Sequence, residues 1–139
     1  MKPEIAILGI VIILLWGIWG FLYKYGVTRL GLLSTLLATS IFYSVLNVLI
    51  IGYLYKRGVG LPLEGTTAIL LTGTAAGVTA SILFLYALTK YPGSVVIPLT
   101  ALYPAVSVVL AILILKEDIN RLNGIGIVLA VIAGYLLSR

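Results

Sequence analysis

Five long apolar runs take up almost the whole chain, and its charged residues fall at or near the ends of those runs. The runs cover residues 5–23 (Ile5 to Tyr23), 32–55 (Leu32 to Tyr55), 66–89 (Thr66 to Thr89), 94–115 (Ser94 to Leu115) and 119–137 (Ile119 to Leu137). An α-helix needs about 20 mainly apolar residues to cross the hydrocarbon core of a bilayer. Each run is close to that length. Many Val, Ile and Thr residues are present, but the runs are continuous and do not alternate, which disfavours a transmembrane β-barrel. The expected fold is therefore an all-α membrane protein with five transmembrane helices, residues 1–139 forming a single domain.

Composition supports a lipid-facing chain. Hydrophobic residues make up 62% and charged residues 9%, against about 25% charged in a typical soluble domain. A small water-soluble fold has too much surface for its volume to hide so much apolar area. The net charge of +5 does not point to nucleic acid, because the basic residues sit singly or in pairs between apolar runs, at headgroup depth, and form no patch. The chain has no Cys and no His. That removes thiol chemistry, disulfides and the common soft-metal sites, and no cofactor is implied.

The first run is longer than a signal-peptide core and ends in Trp, Gly and Tyr, not in a small-residue cleavage site, so it reads as a retained helix with Pro3 in its first turn. The connections are short: Lys24 to Gly31, Lys56 to Gly65, Lys90 to Gly93 and Lys116 to Asp118. They force sequential helices to run antiparallel. Asp118 is placed to cap the fifth helix, and Lys116 lies near the negative end of the fourth. Tyr23, Tyr25, Tyr53, Tyr55 and Tyr91 fall where an interfacial aromatic belt is expected. With the first connection outside, Lys2, Lys56, Arg57, Lys116 and Arg121 lie inside and Lys24, Arg29, Lys90 and Arg139 outside. So even a distribution permits insertion in both orientations.

Three helices carry polar or aromatic residues at i, i+3 and i+7, which is one helical face. They are Trp16, Trp19 and Tyr23; Ser40, Tyr43 and Asn47, with Ser44 beside them; and Thr100, Tyr103 and Ser107. Thr72, Thr79 and Tyr86 form a sparser row on the third helix. Taken singly, these residues have an ordinary explanation: Ser and Thr bond their own backbone and Tyr fills space. Taken as aligned rows at membrane depth, they favour a shared polar path. Pro98 and Pro104 remove backbone donors from the fourth helix and loosen it, as in the broken helices of transporter sites. Gly73 and Gly77 with Ser81, and Gly126, Ala130 and Gly134, form small-residue stripes suited to close helix packing. Packing within one subunit is the expectation for the third helix. For the fifth, a contact between subunits is equally compatible. No acidic residue lies at mid-membrane depth, since Glu4, Glu64, Glu117 and Asp118 are all at helix ends. Proton coupling through a deep carboxylate is therefore disfavoured, and no set of nucleophile, base and metal ligands converges to suggest an enzyme.

Several segments together resemble the EamA-like family of the drug/metabolite transporter superfamily. They are Leu15-Trp16-Gly17 followed by Lys24; Tyr86-Ala87-Leu88 with Ser94-Val95-Val96-Ile97-Pro98-Leu99; Leu102-Tyr103-Pro104; and Leu115-Lys116-Glu117-Asp118-Ile119 followed by Gly124 and Gly134. Each is weak alone, but their order spans the chain. Typical members look like two five-helix repeats in tandem, and here there is one. An odd number of helices places the termini on opposite sides, so tandem repeats are inverted. A lone repeat reproduces that architecture by pairing with a copy in the opposite orientation, and the resemblance thus implies an antiparallel homodimer. The four-helix small multidrug resistance proteins look like a precedent, although their membrane-embedded glutamate has no counterpart in the first helix here. The resemblance also implies a central path lined by the first, third and fourth helices, which points to Trp16, Trp19, Thr79, Tyr86, Thr100 and Tyr103. Tyr43 and Asn47 come from the polar-row argument, and Glu117 is expected at a junction or gate.

The function these features favour is secondary transport or facilitated passage of small organic solutes, in a multi-pass protein of the cell membrane. Two other readings are compatible with the sequence: a lipid or lipid-linked sugar flippase, and a non-transporting membrane subunit.

Overall fold

The computed structural model describes residues 3–137, and among these every regular element is helical. In chain order they are α1 (Pro3–Leu30), α2 (Leu32–Lys56), α3 (Gly65–Lys90), α4 (Gly93–Thr100), α5 (Tyr103–Leu110), a π-helical turn (Ala111–Leu115) and α6 (Arg121–Leu137). Four segments are long and apolar enough to cross a membrane, the fourth being Gly93–Leu115, while α6 is a shorter apolar helix. At 1.5 Å per residue α6 is only about 26 Å long, a little under the thickness of the hydrocarbon core.

Two sequence expectations are corrected and one is sharpened. The segment from Lys24 to Leu30 is not a loop, because α1 continues through it. Nothing in Lys24–Leu30 breaks a helix, and the turn shrinks to Gly31, whose φ of 78° suits only glycine. At 28 residues, α1 is about 42 Å long and must extend into the headgroup region. The fourth run, which the prolines were expected to loosen, remains one span-length segment but breaks at Ala101 and Leu102 into α4 and α5. Pro98 is accommodated inside α4, whereas Pro104 lies in the first turn of α5. Pro104 cannot supply the donor that the Thr100 carbonyl would take one turn on. The chain tightens instead: the Leu102 N–H donates to the Leu99 carbonyl and the Ala105 N–H to the Leu102 carbonyl. Third, α6 begins at Arg121 and not at Ile119. Asn120, not Asp118, caps it: the Asn120 Oδ1 accepts the Leu122 N–H at 3.2 Å.

The chain divides into two compact units, one ending at Thr89 and the other beginning at Lys90. In the first, packing is confined to one end. Tyr23, Val27, Thr35, Leu85 and Leu88 are buried there. A Cβ at Gly26 would lie 3.2 Å from Thr35 Cγ2, so glycine lets α1 and α2 approach closely at this point. The Lys24 ammonium donates to the Leu88 carbonyl at 2.7 Å, fastening α1 to the last turns of α3; a cation is favoured near the negative end of a helix. Away from this end residues 10–18, 44–56 and 68–83 are all exposed. In the second unit α6 packs against α4 and α5. Gly134 is buried beneath the helix break, where a Cβ would come within 2.3 Å of the Leu102 side chain.

Candidate functional site

The packed end of the first unit gathers aromatic residues from three helices. Trp19 on α1 is central. Its ring lies 4.4 Å from that of Tyr23, one turn on, and stacks on Phe84 of α3 at 5.4 Å and 11°. Its indole N–H donates to the Tyr43 hydroxyl of α2 at 3.2 Å, and the Tyr23 hydroxyl donates to the same oxygen at 3.4 Å. The Tyr43 oxygen therefore accepts twice and retains its own proton to donate. A phenol that accepts from two donors is polarised into a better donor. Tyr43 is about half exposed, at 49%, so this hydroxyl is reachable. The cluster offers ring faces, which attract cations and other π systems, beside one polarised hydroxyl. Among the described residues no three metal-ligating side chains converge.

The structure brings together Trp19 and Tyr43 of the candidates from sequence. Tyr23, expected both in the aromatic belt and in the α1 row, is an integral part of the cluster, as is Phe84, which no row included. Phe84 lies one turn before Leu88, whose side chain is fully buried, and nothing in the polar rows marks it. Trp16 lies one turn before Trp19 on α1 and is exposed. Asn47 lies one turn after Tyr43 on α2 and is exposed. Thr79 is exposed and its hydroxyl donates to the Ala75 carbonyl of its own helix at 2.9 Å. Tyr86 is half exposed on α3.

Thr100 and Tyr103 belong to the second unit and flank the break. The Thr100 hydroxyl donates to the Val96 carbonyl at 2.9 Å, and Tyr103 opens α5 with its ring half exposed. Gly73, Gly77 and Gly126 have nothing within 4 Å of a would-be Cβ, and Ala130 is exposed. Of the stripe glycines, Gly134 is the one with a close neighbour among the described residues. Among the described residues no side chain lies against Gly73 or Gly77. Glu117 stands after the π-helical turn, its N–H donating to the Ala111 carbonyl across Lys116, which adopts a left-handed φ of 58°.

Comparison with known proteins agrees with this architecture. The EamA-like transporter family is matched over residues 4–139. An uncharacterised protein of Methanocaldococcus jannaschii is 48% identical over 61 residues, which are 44% of this chain and 44% of that protein. The match thus covers under half the length of that relative. No solved structure matches. The chain belongs to the EamA-like transporter family, and with its apolar helices it is a multi-pass membrane protein.

Proposed function

We propose that this EamA-like repeat forms half of a secondary transporter or facilitator for small organic solutes, completed by a second copy in inverted orientation. The observation that carries the reading is the cluster of Trp19, Tyr23, Tyr43 and Phe84, which converges from three helices and keeps a reachable hydroxyl. Such a wall suits zwitterionic, neutral amphipathic or cationic solutes: the rings take an apolar or cationic part and the Tyr43 O–H takes an acceptor. Membership of a transporter family supports the same class of activity. The helix break before Pro104 places irregular backbone in the second unit, a feature that transporters use where helices line a cavity. Alternating access would then exchange which end of each repeat is closed.

The test is solute uptake into proteoliposomes, with a panel of amino acids, amines and amphipathic cations. Saturable uptake of at least one class is expected, with a marked loss in Trp19→Ala and in Tyr43→Phe. A monodisperse dimer that moves none of them would overturn the reading.

A further inference from the structure

The hydroxyls of α3 and those of α2 differ in a way the sequence rows do not reveal. On α3, Thr72, Thr74, Thr79 and Ser81 each donate to a carbonyl of their own helix, three or four residues back, at 2.7 to 2.9 Å. They are satisfied where they stand, and lipid can cover them. On α2, Ser40, Ser44 and Asn47 are all exposed, and among the described residues none of the three side chains meets a hydrogen-bond partner. A serine can turn back to its own helix. The Asn47 amide, with two donor hydrogens and an acceptor oxygen, cannot be satisfied that way. Lipid tails offer it nothing.

Position along the helix narrows what covers this face. The three residues fall within about 60° of one another around the axis. Their face is separate from the one holding Thr35 and Thr39 toward α1. Residues Leu32–Lys56 make up α2, and the helix midpoint is therefore Ser44. A two-fold axis in the membrane plane passes through mid-bilayer and so must cross a self-pairing helix near its middle. An axis between Tyr43 and Ser44 exchanges residue 40 with 47, and 43 with 44. It sets a serine hydroxyl opposite the amide at both ends of the contact, about 5 Å either side of the axis. An axis along the membrane normal would instead set Asn47 against Asn47.

Resting on the dimer reading above, we infer that a second copy docks antiparallel on this face of α2. Ser40 of each copy hydrogen-bonds Asn47 of the other, and Tyr43 lies opposite Ser44. Small hydroxyl side chains at 40 and 44 let the two helices approach closely, and polar groups bonded across helices hold membrane interfaces together. The contact also brings the two ring clusters beside one another, because Tyr43 belongs both to its cluster and to the edge of this face. The substrate path would then be a property of the pair.

The chain has no Cys, so crosslinking can test this directly. Chains carrying Ser40→Cys and chains carrying Asn47→Cys are co-expressed and oxidised in membranes with copper phenanthroline. The expected product is the mixed disulfide dimer, with little crosslinking when either variant is expressed alone. Efficient crosslinking of Asn47→Cys to itself would establish a parallel contact and overturn the inference. If no disulfide forms but the oligomer remains dimeric by light scattering, another face mediates the dimer; the inference fails and the proposed function stands. A monomer overturns both. Asn47→Leu provides a measurement without cysteines: it should weaken dimerisation by about tenfold, with the Trp19 fluorescence of the cluster retained. Unchanged dimerisation would overturn the inference, as would thiols at both positions labelled by an impermeant reagent, which would show a watery face.

Discussion

Two glycines of α6, eight residues apart, should respond in opposite directions to the same added methyl group. At Gly134 an added Cβ would stand 2.3, 2.7 and 2.8 Å from Cδ2, Cγ and Cδ1 of Leu102. All three distances are far inside van der Waals contact. The Leu102 side chain therefore has to withdraw, or the break at Ala101 and Leu102 has to shift. Overpacking of this kind costs about 1–3 kcal/mol. Replacing a helical glycine by alanine returns about 0.5–1 kcal/mol of backbone entropy, so Gly134→Ala should be destabilising by up to about 2 kcal/mol. At Gly126 nothing lies within 4 Å, so only the favourable term of about 0.5–1 kcal/mol operates.

Thermal unfolding in mild detergent, followed by the fraction remaining monodisperse on gel filtration, reads the order directly. Gly126→Ala should unfold above the unmodified protein and Gly134→Ala below it. Leu102→Ala in the Gly134→Ala background removes the colliding atoms and should recover part of the loss, a coupling that only residues in contact produce. A Gly134→Ala variant as stable as Gly126→Ala would refute the packing of α6 against the break, and with it the account of why glycine stands at 134.

Three further perturbations test other joints. Lys116 adopts a left-handed conformation, which costs a non-glycine residue about 1–2 kcal/mol, so Lys116→Gly should raise the unfolding temperature; a fall would show that the lysine side chain is worth more than the strain. Asn120→Ala removes the acceptor of the Leu122 N–H and should cost about 1 kcal/mol, whereas Asp118→Ala should leave thermal stability unchanged in the same assay. Tyr43→Phe deletes the oxygen that accepts from Trp19 and Tyr23, and should destabilise the packed end by about 1–3 kcal/mol with a shift in tryptophan emission; an unchanged spectrum would refute the shared acceptor.

The apolar runs could be read directly because lipid imposes one rule, about 20 apolar residues per crossing, and Leu, Ile and Val obey it without reference to partners. The errors came where a partner decides. Lys24, Tyr25, Thr28 and Arg29 look like a loop by composition. Lys24 is instead held in the helix by the Leu88 carbonyl, Thr28 bonds back to the Lys24 carbonyl, and the Arg29 guanidinium lies over the Tyr25 ring at 5.6 Å. Each polar residue finds a use compatible with helix, so α1 ends only at Gly31. Both prolines of the fourth run were visible, but their unequal effect was not. Pro98 gives up a bond to a carbonyl in the first turn of α4, while Pro104 gives up the bond that would have joined two helices into one. Asp118 and Asn120 are equally good caps in isolation, and only the position at which the backbone turns helical chooses between them.

The polar rows show the same limit from the other side. At the level of spacing, Thr72 and Thr79 on α3 and Ser40, Tyr43 and Asn47 on α2 look alike, since each falls on one face of its helix. What separates them is chemistry one turn away. A β-hydroxyl reaches the carbonyl behind it and can vanish into its own helix, which is what the α3 threonines do. A tyrosine hydroxyl stands too far from the axis to do so, and Tyr43 meets Trp19 and Tyr23 across helices instead. An asparagine amide on a helix surface cannot be quieted by its own backbone. Among aligned polar residues in an apolar helix, those that must look outside it are therefore the ones that build contacts between helices. Among the described residues Tyr43 meets such partners and Asn47 meets none.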